Sequence, residues 1–97
     1  MTGVFVSKKP LTAAERKHIG RVKTLPCACC GRGFTSSAHH IREGQGMSQR
    51  ASNWLVISLC YDCHQGPQGV HGDKSLMRIY KTDELDMLAK TIEMLNG

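Results

Sequence analysis

The sequence is short of aromatic side chains. Two Phe, two Tyr and one Trp make up 5% of its 97 residues, so its core must be small and largely aliphatic. It also lacks any apolar run near the roughly 18–20 residues that a membrane-spanning helix needs. No charged-then-apolar segment opens the chain as a secretory leader would, and the expected location is cytoplasmic, away from any membrane. Repeats and low-complexity tracts are missing as well. The length leaves room for one domain, which excludes a multidomain enzyme.

Acidic residues are scarce over residues 1–50, which hold two against nine basic ones, whereas residues 51–97 hold six acids and four bases. The formal net charge is +5. A basic half favours a polyanionic partner such as DNA, because each phosphate contact releases counterions. The competing reading is a solvated face that maintains solubility. Lys8, Lys9, Arg42 and Arg50 are the candidates for contact with a nucleic-acid backbone.

What the chain does have is five cysteines and five histidines. A domain this small hides only about 60–70% of its unfolded surface, so a staple is needed. The pairs Cys27/Cys30 and Cys60/Cys63 each have C-x2-C spacing, and two such knuckles complete a tetrahedral structural Zn²⁺ site. A metal held in this way contributes on the order of 10 kcal/mol to folding. The alternative, a disulfide framework, fits poorly with an odd cysteine count and no leader. Cys29 could replace a neighbour in the set, but the spacing favours leaving it as a spare thiol.

The rest of the chain reads as follows. Residues 1–11 form a basic arm, and 12–97 form the domain. Thr12 and Glu15 make a capping box for a helix over Ala13–Lys23, whose thin apolar stripe is Ala14, Ile19 and Val22. His18 on this helix is expected to be a surface or partly buried residue. Phe34–Ile41 and Trp54–Leu59 read as strands, separated by a polar, glycine-containing loop. Trp54 is expected in the core, with base stacking as the alternative. Asp73 caps a short helix over Lys74–Tyr80. Thr82-Asp83-Glu84 opens a last helix to about Leu95, with Leu85, Leu88, Ile92 and Leu95 as its core face. Asp83, Glu84 and Asp86 suit the positive end of that helix dipole.

The expected class is α+β: two antiparallel strands and a helix clamped by zinc between the knuckles, with flanking N- and C-terminal helices. The combination Cys27-x2-Cys30, Ala38-His39-His40-Ile41, Asn53, and Leu59-Cys60-x2-Cys63-His64 resembles the HNH, or His-Me finger, endonucleases. Within them, Asn53–Cys60 followed by Val70-His71-Gly72-Asp73-Lys74 is most similar to the Ref-like phage recombination nucleases, and the resemblance spans about residues 12–81.

The chemistry of the histidines can be stated independently of any family. Phosphodiester hydrolysis needs a water made nucleophilic and stabilisation of the charge that develops on the phosphate. A histidine titrating near neutrality suits the first task and a divalent metal the second. Adjacent strand residues point to opposite faces, so His39 and His40 cannot both reach one metal from a regular strand. The resemblance implies that His39 is a metal ligand and His40 the general base. It implies that His64 or His71 completes a catalytic site for Mg²⁺, Mn²⁺, Ni²⁺ or Zn²⁺, histidine at position 39 favouring the last three. It also implies that Asn53 orients the base, and that the setting is phage or prophage recombination with a recombinase filament as partner. The alternative function is a zinc-stapled DNA-binding or adaptor module without the chemistry.

Overall fold

In the computed structural model, residues 10–33, 37–42, 44 and 51–97 are described. Lys8, Lys9, Arg50, the arm up to residue 9 and the expected strand start at Phe34 lie outside them. Helix α1 occupies Ala13–Lys23, the span the capping box predicts. The Thr12 hydroxyl accepts from the Glu15 N–H at 3.1 Å, and the Glu15 carboxylate accepts from the Thr12 N–H at 2.8 Å. Two amides that a helix start leaves without partners are thereby satisfied. Val22 alone on this helix is fully buried, in keeping with its thin stripe.

Strands β1 (Ser37–His40) and β2 (Val56–Leu59) pair antiparallel, with Ser37 opposite Leu59 and His40 opposite Val56. Both expected strands are present; β1 ends at His40, one residue early, and β2 begins at Val56, two residues late. Ile41 already lies beyond β1, although its N–H still donates to the Leu55 carbonyl. Asn53 and Trp54 form a turn ahead of β2. That turn places Trp54 48% exposed, with its ring 4.9 Å from the His18 ring, so the expectation of a core tryptophan is corrected. His18 itself is half-buried, its Nε2 3.1 Å from the Trp54 carbonyl.

The first knuckle is closed by Cys27 N–H to Arg32 O and by Gly31 N–H to Cys27 O. Gly31 has φ +82°, a left-handed conformation that a Cβ would strain. The second knuckle leads into a single turn of helix, α2 (Tyr61–His64). The loop after it folds back so tightly that a Cβ on Gly69 would lie 2.6 Å from the carbonyl oxygens of Asp62 and Cys63. This close return lets the Val70 and His71 N–H groups donate to Cys63 and His64. Helix α3 (Ser75–Ile79) follows, its start held by the Asp73 carboxylate on the Ser75 N–H.

Helix α4 (Glu84–Asn96) starts at Asp83, whose side chain accepts from the Asp86 N–H at 2.8 Å. Its buried positions are Met87 and Thr91, while Leu85 and Ile92 are 50% and 44% exposed. Of the expected Leu85/Leu88/Ile92/Leu95 face, Leu88 packs against the core, but Leu85 and Ile92 do not, and the buried face is rotated toward Met87 and Thr91. The cause is polar: Glu84 reaches His39, and Thr91 Oγ1 accepts from the Ser58 N–H of β2 while donating to Met87 O. Those two anchors fix which side of the helix faces the sheet.

The core is made of Cys27, Ala28, Cys29, Ile41, Ala51, Ile57, Leu59, Cys60, Cys63, Val70, Met77 and Met87. Among the described residues it includes no Phe, Tyr or Trp, in keeping with a largely aliphatic core. Full burial of Ile57, Leu59 and Met87 contributes about 1.5–3 kcal/mol each. Four of those twelve residues are cysteines, so the sheet and knuckles share one small interior. No helix among the described residues is long and apolar enough to cross a membrane.

Candidate functional site

Among the described residues, two groups of metal-competent side chains converge in the fold. In the first, the thiols of Cys27, Cys30, Cys60 and Cys63 lie within 4.8 Å of one another. The Cys30 and Cys60 sulfurs are 3.7 Å apart, close to the roughly 3.8 Å edge of a tetrahedron with 2.3 Å zinc–sulfur bonds. All five cysteines are free thiols, and Cys29 stands outside the group. Burial raises the Cys27 pKa, but N–H donors from Cys30, Cys60 and Cys29 outweigh it and hold the thiol below its ordinary value. Cys63 is pushed up by burial, with the Cys27 charge adding to it. Four anionic sulfurs in one dry pocket repel each other unless a cation sits among them. The group can hold a structural metal such as zinc.

The second group is His39, His64 and His71, whose ring nitrogens also lie within 4.8 Å. Sequence reasoning left His64 and His71 as alternatives; the fold brings both to His39. Ring centroids are separated by 5.0 Å from His39 to each of the others and by 4.8 Å between those two. His39 comes from β1, His64 from the end of α2 immediately after Cys63, and His71 from the loop that Gly69 allows to close.

Hydrogen bonds fix which nitrogens are free. His39 Nε2 donates to the Glu84 carboxylate at 2.6 Å, leaving Nδ1 bare. Ser37 donates its hydroxyl proton to Leu59 O, so at 2.7 Å it accepts from His64 Nδ1–H and leaves Nε2 bare. Such outer partners are what orient metal-binding imidazoles. Burial pushes the His39 pKa down against the upward pull of Glu84. His64 falls to about 4 through burial, with the neighbouring His39 and His71 adding to the effect. Both rings are therefore neutral near pH 7, the form that binds a metal. Three imidazoles without a carboxylate among them suit zinc, nickel or another transition metal better than magnesium. His71 is exposed, so the group is open on one side.

His40 faces the other way. Its Nε2 lies 2.9 Å from Asn53 Oδ1, and the Asn53 Nδ2 donates to Glu15 Oε2 at 3.3 Å. The Thr12 N–H, followed by the Asn53 amide, holds the Glu15 carboxyl below its ordinary pKa, so this group is an acceptor. Asn53 must then turn its amide nitrogen to Glu15 and its oxygen to His40. The proton of neutral His40 therefore sits on Nε2, and Nδ1 carries the free lone pair.

Of the expected backbone-contact residues, Arg42 alone is described. It is exposed, and its N–H donates to both oxygens of Glu84 at 2.9 and 3.0 Å, just beyond the histidine group. Sequence reasoning missed three supporting residues. Glu84 reads there as a dipole partner, Glu15 as a helix cap, and Ser37 as ordinary strand. Their second contacts arise between elements 27 to 45 residues apart and leave no local pattern.

No family model matches the chain, and no solved structure matches it. A 51-residue stretch, 52% of this chain, is 41% identical to the uncharacterized protein YdfU of Escherichia coli (strain K12). The matched stretch spans 15% of that protein's length.

Proposed function

We propose that this chain is a metal-dependent DNA endonuclease of the HNH, ββα-metal type. The observation that carries the reading is the division of two consecutive strand histidines. His39 turns to His64 and His71, while His40 turns to Asn53 with its Nδ1 free. One face thus offers a cation site and the other a base, the two functions that phosphodiester hydrolysis needs.

In this reading the four cysteines hold zinc as a structural staple. His39 Nδ1, His64 Nε2 and His71 hold a second divalent cation, which when bound supplies Lewis-acid stabilisation to the phosphate and leaving oxygen. His40 takes a proton from the attacking water at Nδ1. The resulting imidazolium keeps its Nε2–H on Asn53 Oδ1, so the ring does not turn as it charges. Arg42, emerging next to Glu84, steers the DNA backbone toward the histidines, with Lys8, Lys9 and Arg50 as further basic candidates. A phage recombination setting and a recombinase filament partner rest on the Ref-like resemblance.

The test is incubation of supercoiled plasmid with purified protein and Mg²⁺, Mn²⁺, Ni²⁺ or Zn²⁺, with and without EDTA. Nicking that appears with a transition metal and stops with EDTA is the expected result. DNA binding without nicking under every metal would replace this reading with a zinc-stapled adaptor.

A further inference from the structure

Asn53 does not hold His40 alone, because its own amide is held from behind by the first helix. Glu15 has two carboxylate oxygens with separate tasks. Oε1 accepts from the Thr12 N–H in the capping box, and Oε2 accepts from Asn53 Nδ2. We infer that Glu15 is a positioning residue: as an obligate acceptor it sets the direction of the Asn53 amide, and through it the tautomer of His40. The inference rests on the reading of His40 as the base, and it adds a residue from outside the histidine-bearing strand.

The argument is one of hydrogen-bond polarity. An ionised carboxylate only accepts, an amide has one accepting and one donating end, and a neutral imidazole has one nitrogen of each kind. Once Glu15 takes the donor end of Asn53, only the acceptor end remains for His40. Nε2 must carry the proton and Nδ1 must be bare. A capping box tolerates glutamine as well as glutamate, so helix formation alone does not call for a carboxylate here. The bond to Asn53 does.

Glu15→Gln separates the two tasks. The glutamine keeps its carbonyl on the Thr12 N–H and places an NH₂ group where Oε2 stood. Facing a donor, Asn53 turns over and presents its own NH₂ to His40. His40 Nε2 must then accept, and the ring proton moves to Nδ1, where the water would have been deprotonated. The bond from the Thr12 N–H is kept and the two bonds beyond it survive with reversed direction, so the fold is kept.

The experiment is ¹⁵N spectroscopy of histidine-labelled full-length protein near pH 8, with the His40 signals identified by their loss in His40→Gln. In the unmodified protein the unprotonated nitrogen should be Nδ1, and in Glu15→Gln it should be Nε2. The melting temperature should be unchanged, and plasmid nicking should fall about tenfold or more. An Nε2–H tautomer that persists in Glu15→Gln would overturn the inference and reduce Glu15 to a helix cap. If the tautomer inverts in a protein that nicks no plasmid under any metal, the relay stands and the nuclease reading falls. The spectroscopic result thus separates the two.

Discussion

The cysteine and histidine groups meet at consecutive residues, Cys63 and His64, yet they differ in how far the fold encloses them. Three of the cysteines are 4% exposed or less, and their knuckles form part of the core itself. The histidines run from buried His39 through His64 to exposed His71. A closed four-thiolate group is the arrangement of a structural site, whereas three ligands with an open side leave room for water or substrate. The one-turn helix α2 makes the division possible by sending adjacent side chains to different neighbourhoods. The difference teaches that a small domain can place a closed thiol group and an open imidazole group side by side without sharing a residue.

The sharpest way to break this comparison is to remove one member of each group. Cys63→Ser should abolish cooperative folding and the first equivalent of zinc. A contribution on the order of 10 kcal/mol is comparable to the whole stability of a small domain, about 5–15 kcal/mol. Circular dichroism and metal analysis of the purified chain would read this directly. A folded, zinc-loaded Cys63→Ser protein would contradict the structural role.

Next in size are the histidines. His40→Ala should lower plasmid nicking by about 10²–10⁴-fold while both metal equivalents stay bound. His39→Ala should also stop nicking, but by losing the second metal equivalent. Two adjacent residues would then fail for different reasons. Equal metal content in the two variants would remove the proposed division between the faces.

Much of this arrangement is legible in the sequence because it is written locally. The Thr12/Glu15 box fixes α1, the C-x2-C spacing fixes the knuckles, and strand alternation separates His39 from His40. The remainder depends on tertiary contacts. The core face of α4 is only partly legible in its apolar stripe: Leu88 packs inward, but Glu84 and Thr91 bond to His39 and Ser58 and leave Leu85 and Ile92 exposed. Trp54 looked like the start of a strand, yet it sits in the turn that delivers Asn53 to His40. In both cases a polar contact between distant elements outweighed an apolar pattern.

A smaller effect distinguishes the two groups by pH. His64 titrates at about 4 in the folded chain against an ordinary value of 6.5. Between those values the unfolded chain binds a proton that the folded one does not, so stability falls as pH drops from about 6.5 to about 4 and is regained on raising it. With one equivalent of zinc, enough for the cysteine site, urea midpoints should fall more over this range in the unmodified protein than in His64→Gln. Parallel curves for the two proteins would show that burial does not hold His64 neutral.

The smallest expected effect compares two surface arginines. Arg32 follows the first knuckle and pairs with Asp62 at 3.1 Å, with both side chains more than 60% exposed. Such a pair contributes little to stability and partly satisfies the arginine's charge. Arg42 is exposed, and its backbone is tied to the same Glu84 that holds His39. If the histidine side faces DNA and the cysteine side does not, Arg42→Ala should weaken plasmid binding several-fold and reduce the salt dependence by about one ion. Arg32→Ala should leave both nearly unchanged. Binding measured across a salt series separates them, because loss of a phosphate contact changes the slope, whereas a general change in net charge acts equally on both variants. An equal loss from the two substitutions would mean that the basic surface attracts DNA without presenting it to the histidines.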